Sequence, residues 1–88
     1  MISCEVEVVN PLGIHARPSA KLTQVATRFK AEVWLTKGTR KVNAKSIMGV
    51  MMLAAAKGAK LTVLAEGVDE EQAIEALKAL FADGFGEL

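Results

Sequence analysis

Two hydrophobic periods take turns along this chain, and their order restricts the available folds more than any other feature. From Ile2 to Val9 the apolar residues alternate. Ile2, Cys4, Val6 and Val8 share one side and Ser3, Glu5 and Glu7 the other, the pattern of a half-buried strand. Asn10-Pro11-Leu12-Gly13 breaks it. From Ala16 the period lengthens: Leu22, Val25, Ala26 and Phe29 form a helical stripe, while Lys21, Thr23, Gln24, Thr27 and Arg28 face water. Val33 and Leu35 alternate with Glu32, Trp34 and Thr36, Lys37-Gly38-Thr39 marks a turn, and Arg40 to Asn43 returns, so a hairpin is predicted. Ser46 opens a second helical stretch, Ile47 to Lys57, with Gly58 placed as its left-handed stop. Lys60 to Glu66 alternates again, with Leu61, Val63 and Ala65 inward. Asp69, followed three residues later by Gln72, resembles a capping box. The last helix behind it carries Ala73, Ile74, Leu77, Leu80 and Phe81 on one stripe and ends at Gly84.

The order β-α-β-β-α-β-α, with strands polar on one side, predicts an α+β architecture. Helices cover one face of an antiparallel sheet and the other face stays open. Trp34 and Leu64 fall on that open face, where they would cover each other across strands. The 88 residues read as a single domain with one modest core. A hydrophobic share of 51% and a charged share of 24% fit a globular chain rather than a disordered one. A formal net charge of +1 argues against a dedicated nucleic-acid binder, whose affinity would need a basic surface. The single cysteine, Cys4, cannot form an internal disulfide or a cysteine-based zinc site, and its place on an apolar face makes it small core filler. No apolar run reaches the roughly 18 residues of a membrane span. Met1 leads straight into the first strand with no basic, cleavable leader, so a cytoplasmic address without membrane insertion is expected.

Imidazole chemistry can only happen at His15. It stands where the first helix begins, and the first N–H groups of a helix have no internal partner while its dipole adds partial positive charge there. A phosphoryl group on or beside His15 would meet the N–H groups of Ala16 and Arg17. Pro18 lacks an N–H at a position where a helix loses no bond, and Gly13 permits close backbone approach. Arg17 can chelate phosphate oxygens through paired donors. Imidazole titrates near pH 6.5 when unperturbed, about right for a nucleophile at neutral pH. A solvated cap is the plainer reading of a lone histidine, and Arg17 with the Gly13 turn is what argues for more. A metal site has no second histidine or carboxylate pair to draw on, and no cofactor is called for. A hydrolytic reading lacks a nucleophile, since Ser19 is nearby but no orienting acid is identifiable.

Ser46 is placed as the N-cap of the second helix, where its hydroxyl accepts from the next turn. A phosphate there would still find free N–H groups and Lys45. The helix itself is apolar all round. Val50, Leu53 and Ala54 share one face, and Ile47, Met48, Met51 and Met52 lie largely on the other. A two-layer domain cannot bury both, so the methionine-rich face is expected to be exposed and suited to several partners.

Two segments now resemble one family. Gly13-Ile14-His15-Ala16-Arg17-Pro18-Ser19-Ala20 is similar to the active-site pattern of HPr, the histidine-containing phosphocarrier family of the bacterial sugar phosphotransferase system. Lys45-Ser46-Ile47-Met48-Gly49-Val50-Met51-Met52-Leu53-Ala54 is similar to its regulatory serine segment. The resemblance runs over essentially the whole chain. It implies a βαββαβα open-faced sandwich with strand order 1-4-2-3. It implies that His15 Nδ1 takes a phosphoryl group from enzyme I, charged by phosphoenolpyruvate, and passes it to an enzyme IIA domain, with Arg17 stabilising the phosphate and no independent turnover. Ser46 would be the target of an HPr kinase/phosphorylase. Ala20, Lys21, Gln24, Lys45, Ile47, Met48, Met51 and Met52 would dock the partners, and a monomer is the simplest form for such a shuttle. An NPr-type carrier of the nitrogen-related branch, or a binding module switched at Ser46, are the alternatives.

Overall fold

The computed structural model describes residues 1–87, in which four strands make one antiparallel sheet. The chain runs β1 (Ile2–Glu7), α1 (Ala16–Ala26), β2 (Glu32–Lys37), β3 (Arg40–Asn43), α2 (Ile47–Met52), β4 (Lys60–Glu66) and α3 (Glu70–Ala82), closing with a 3₁₀ turn over Gly84–Gly86. The sheet order is β1-β4-β2-β3, as the family resemblance implies. β4 pairs with β1 on one side, setting Cys4 opposite Val63 and Val6 opposite Leu61, and with β2 on the other, setting Leu35 opposite Val63. A register slip of one residue would turn all these side chains to water, so the alternation read from sequence fixes the pairing.

Val8, Val33, Leu35, Leu61, Val63 and Ala65 present the covered face of the sheet to Leu22, Val50, Leu53, Ala73, Leu77 and Phe81 from the helices, and all are buried. Each large side chain withdrawn from water in this way contributes roughly 1.5–3 kcal/mol. Trp34 does face Leu64 across β2 and β4 on the open side, and Lys41 Nζ lies 4.6 Å from the Trp34 ring centroid. Cys4 is partly buried against the core; burial, the largest influence on its thiol, pushes the pKa up, with Lys78 opposing and Glu75 adding to the rise. That is the setting of an inert thiol.

Two expectations fail for the same reason, a tertiary contact that outbids a local signal. The second helix stops at Met52 instead of running to Lys57. Ala54 turns left-handed at φ 49 and is exposed, so it does not share the inward face of Val50 and Leu53. The tip of the β2–β3 hairpin accounts for the stop: Arg40 donates to Met52 O and Lys37 to Leu53 O at 3.2 Å, satisfying carbonyls that a longer helix would have used. Beyond them Ala55 O accepts Ile14 N–H at 2.9 Å, and Gly58 and Ala59 exchange bonds with Val8. High alanine propensity is worth tenths of a kcal/mol per residue and cannot hold a helix against these bonds. The capping box is also absent. Asp69 makes no side-chain cap bond; its carboxylate takes the N–H groups of Lys30 and Ala31 at 2.9 and 2.8 Å, fastening the start of α3 to the α1–β2 loop. Glu70, not Gln72, reaches back, accepting Gly67 N–H at 3.0 Å.

α3 stops at Ala82, just short of the Gly84 predicted to end it. Gly84 turns the chain at φ 61, and Phe85 folds back into the core with its ring 4.9 Å from that of Phe81, edge to face. This return brings the tail to the opposite end of the chain.

Candidate functional site

His15 is the N-cap of α1, extended at φ −94, ψ −164, and its carbonyl accepts the first helical bond from Ser19 N–H at 3.0 Å. Its side chain makes no capping bond. The N–H groups of Ala16 and Arg17 find no acceptor among the described residues, and Pro18 is buried in the first turn without a donor to leave over. The imidazole keeps 38% of its surface open, enough for another protein's group to reach it.

The loop before it is built to hold one shape. Gly13 sits at φ +72, and a Cβ there would lie 2.6 Å from Ala55 O and 3.0 Å from Ala56 Cα. Only glycine fits both the conformation and the space. Asn10, fully buried, donates from Nδ2 to Gly13 O at 2.7 Å, and His15 N–H reaches the same carbonyl at 3.1 Å.

Sequence reasoning missed the carboxylate in this site. Glu87 Oε1 stands 3.1 Å from His15 Nε2 and 3.1 Å from Asn10 Nδ2. Loss of hydration works against the charged carboxyl, but the hydrogen bonds from His15 and Asn10, joined by the charges of His15 and Arg17, outweigh it and hold the pKa below the usual range. An ionised carboxylate can only accept, so Nε2 carries the hydrogen and Nδ1 is left with the lone pair in the neutral ring. The surroundings expected from sequence were wholly positive; the structure sets a negative charge behind the ring. Glu87 is 72 positions from His15, and no local pattern announces it.

Arg17 is exposed in the first turn and has no hydrogen-bond or ion-pair partner among the described residues. Its guanidinium is therefore available to an arriving anion. Lys21 is committed elsewhere: its Nζ donates to Phe85 O at 2.7 Å and ties the tail to α1. Ala20 is half-buried and Gln24 exposed on the same helix.

Ser46 caps α2 as predicted, its hydroxyl accepting Gly49 N–H at 3.0 Å. The neighbouring Lys45 donates its Nζ to Phe29 O at 2.8 Å, a carbonyl just past the end of α1. Beyond Ser46, Ile47, Met48, Met51 and Met52 are all exposed, Met48 at 72%, while Val50 is buried. Leu12, exposed at 78% in the loop before His15, adds an apolar residue the sequence reading did not single out. α1 and α2 pack against each other, so the histidine helix and the methionine-rich face belong to one side of the molecule.

An open-faced sandwich with a reachable histidine at a helix start defines a class of small acceptor proteins, and comparison with known proteins narrows it. The family model for the PTS HPr component phosphorylation site matches residues 2–83. The phosphocarrier protein HPr of Neisseria meningitidis serogroup A is 52% identical over 87 residues, covering 99% of this chain and 98% of that one. Among solved structures, a crystal structure of HPr from Thermoanaerobacter tengcongensis superimposes with a TM-score of 0.96 at 45% identity, covering 100% and 99% of the two chains. A crystal structure of Crh from Bacillus subtilis, described as a swapped-domain dimer, matches with a TM-score of 0.77 at 45% identity over 96% and 97% of the chains. The chain belongs to the HPr family of the phosphotransferase system. No described helix is long and apolar enough to cross a membrane.

Proposed function

We propose that the chain is a phosphocarrier working through His15 Nδ1. The donor is enzyme I charged by phosphoenolpyruvate, and the acceptor is an enzyme IIA domain serving sugar uptake. The observation that carries this reading is the Glu87–Nε2 hydrogen bond, which leaves Nδ1 as the free lone pair in the ring at the head of α1. In the transfer the Nδ1 lone pair forms a bond to phosphorus as the donor's own bond to phosphorus breaks, its electron pair returning to the donor atom. Arg17 and the N–H groups of Ala16 and Arg17 supply fixed positive partners for the phosphoryl oxygens, so catalysis is a matter of position and charge. The hydrogen stays on Nε2, donated to Glu87, throughout.

The exposed face of Ile47, Met48, Met51 and Met52, with Ala20, Gln24 and the aliphatic stems of Lys21 and Lys45 beside it, offers successive partners one adaptable surface. A carrier with this division of labour has no turnover of its own, and it works as a cytoplasmic monomer. Ser46 is the regulatory position. Phosphorylation by an HPr kinase would set a dianion beside Ile47 and Met48 and oppose docking there.

The test is intact-protein mass spectrometry after incubation with phosphoenolpyruvate and enzyme I. An acid-labile phosphoryl adduct on the natural chain, absent from a folded His15→Ala variant, is expected; no adduct with an active enzyme I would refute the sugar-branch reading. Labelling by the nitrogen-branch enzyme I instead would favour the NPr-type carrier.

A further inference from the structure

We infer that Asn10 is a positioning residue for phosphoryl acceptance at His15, acting through Glu87. The inference deepens the carrier reading and rests on it.

Asn10 is fully buried, yet its amide is only half satisfied. Both donors of Nδ2 are used, on Gly13 O at 2.7 Å and Glu87 Oε1 at 3.1 Å, while Oδ1 has no partner among the described residues. A buried carbonyl oxygen left unpaired is costly, and an apolar residue of similar size would avoid the cost. Rotating the amide by half a turn would set Oδ1 against a carbonyl and a carboxylate, so the observed orientation is the one the site can hold. The side chain is thus kept for its two N–H groups.

Each of those N–H groups acts on His15 from a different side. Gly13 O, which the first one holds, also accepts the backbone N–H of His15 at 3.1 Å. The second holds the same Glu87 oxygen that faces Nε2. One buried amide therefore fixes the backbone that carries the imidazole and the carboxylate that sets its tautomer. Burial of Phe85 and the Lys21 bond to Phe85 O bring the tail to the site, but they do not aim the Glu87 side chain. Asn10 does.

The test reads the His15 ring nitrogens by long-range ¹H–¹⁵N NMR in the full chain, for the natural protein, Asn10→Ala, Glu87→Gln and the double variant. The natural ring is expected to be protonated at Nε2. Asn10→Ala should lower the ratio of that tautomer to the other by about tenfold, the scale of one hydrogen bond to a charged group. Glu87→Gln should lower it similarly, and the double variant no further, because both act through one contact. Transfer from charged enzyme I should slow in kcat with KM unchanged, since docking is untouched. Asn10→Leu, which keeps about the same volume and loses both donors without adding a titratable group, is read beside Asn10→Ala in case the cavity unfolds the latter, and should give the same loss. A folded Asn10 variant with the natural tautomer ratio, or additive losses in the double variant, would overturn the proposal. If the natural chain accepts no phosphoryl group, the carrier reading falls while the ring spectra still judge Asn10.

Discussion

Gly13 and Gly38 share nearly the same backbone conformation, at φ +72 and +60, and differ in what surrounds them. Replacing each by alanine separates the cost of conformation from the cost of space. At Gly38 nothing lies within 4 Å of the added Cβ, so Gly38→Ala costs only the left-handed conformation, about 1 kcal/mol. At Gly13 the same charge applies, and the methyl would also sit 2.6 Å from Ala55 O and 3.0 Å from Ala56 Cα. Both neighbours are backbone, so no side chain can swing aside. Overpacking of this kind costs typically 1–3 kcal/mol. Moving Ala55 O away also breaks its bond from Ile14 N–H, about 1 kcal/mol more. Gly13→Ala should therefore lose roughly 3–5 kcal/mol against about 1 for Gly38→Ala. Urea unfolding followed by far-UV circular dichroism measures both, and the m-value should stay constant. In thermal unfolding a chain this size loses about 4–8 °C per kcal/mol. Equal losses for the two variants would show that the 53–59 segment yields freely, and the account of a His15 loop held by Ala55 would be wrong.

Other substitutions probe the second segment and the acid end of the stability curve. Ser46→Ala removes the acceptor of Gly49 N–H and should cost about 1 kcal/mol in the same unfolding assay. Ser46→Asp keeps a good cap and should stay within about 0.5 kcal/mol while raising KM for enzyme I in steady-state transfer assays; an unchanged KM would sink the switch at Ser46. Met48→Ala should leave stability within about 0.5 kcal/mol, since the side chain is 72% exposed, and should also raise that KM. The Asp69 carboxyl is held below its ordinary value first by the N–H of Lys30, with lost hydration opposing and Ala31 N–H adding to the fall. Because the folded pKa is the depressed one, its contribution is complete above the unfolded pKa, about 3.9, and disappears as pH falls through the folded value. Asp69→Asn should therefore flatten the acid limb of a stability–pH curve; an unchanged limb would remove Asp69 from that account.

How far the sequence could be read depended on the reach of each interaction. The strands were legible because a side chain's face follows from its own position and its neighbours', and Val33, Leu35, Leu61 and Val63 could only be buried together. The histidine's place at a helix start, and the cap at Ser46, were legible for the same reason. Each needs only the next three or four residues. α2 was overextended because its end is set by Lys37 and Arg40, which lie 16 and 12 positions away on the hairpin and cap the carbonyls of Leu53 and Met52. Asp69 looked like a local cap but spends its carboxylate on a loop 38 and 39 positions away. The strongest case is the site itself. His15, Ala16 and Arg17 lie within one turn and could be read together as a candidate anion site, yet the proton on Nε2 faces Glu87, two residues past the Phe85 ring that packs on Phe81. Which ring nitrogen is free to react is thus decided by how α3 ends, and a change at Phe85 should be felt in the chemistry of the first helix.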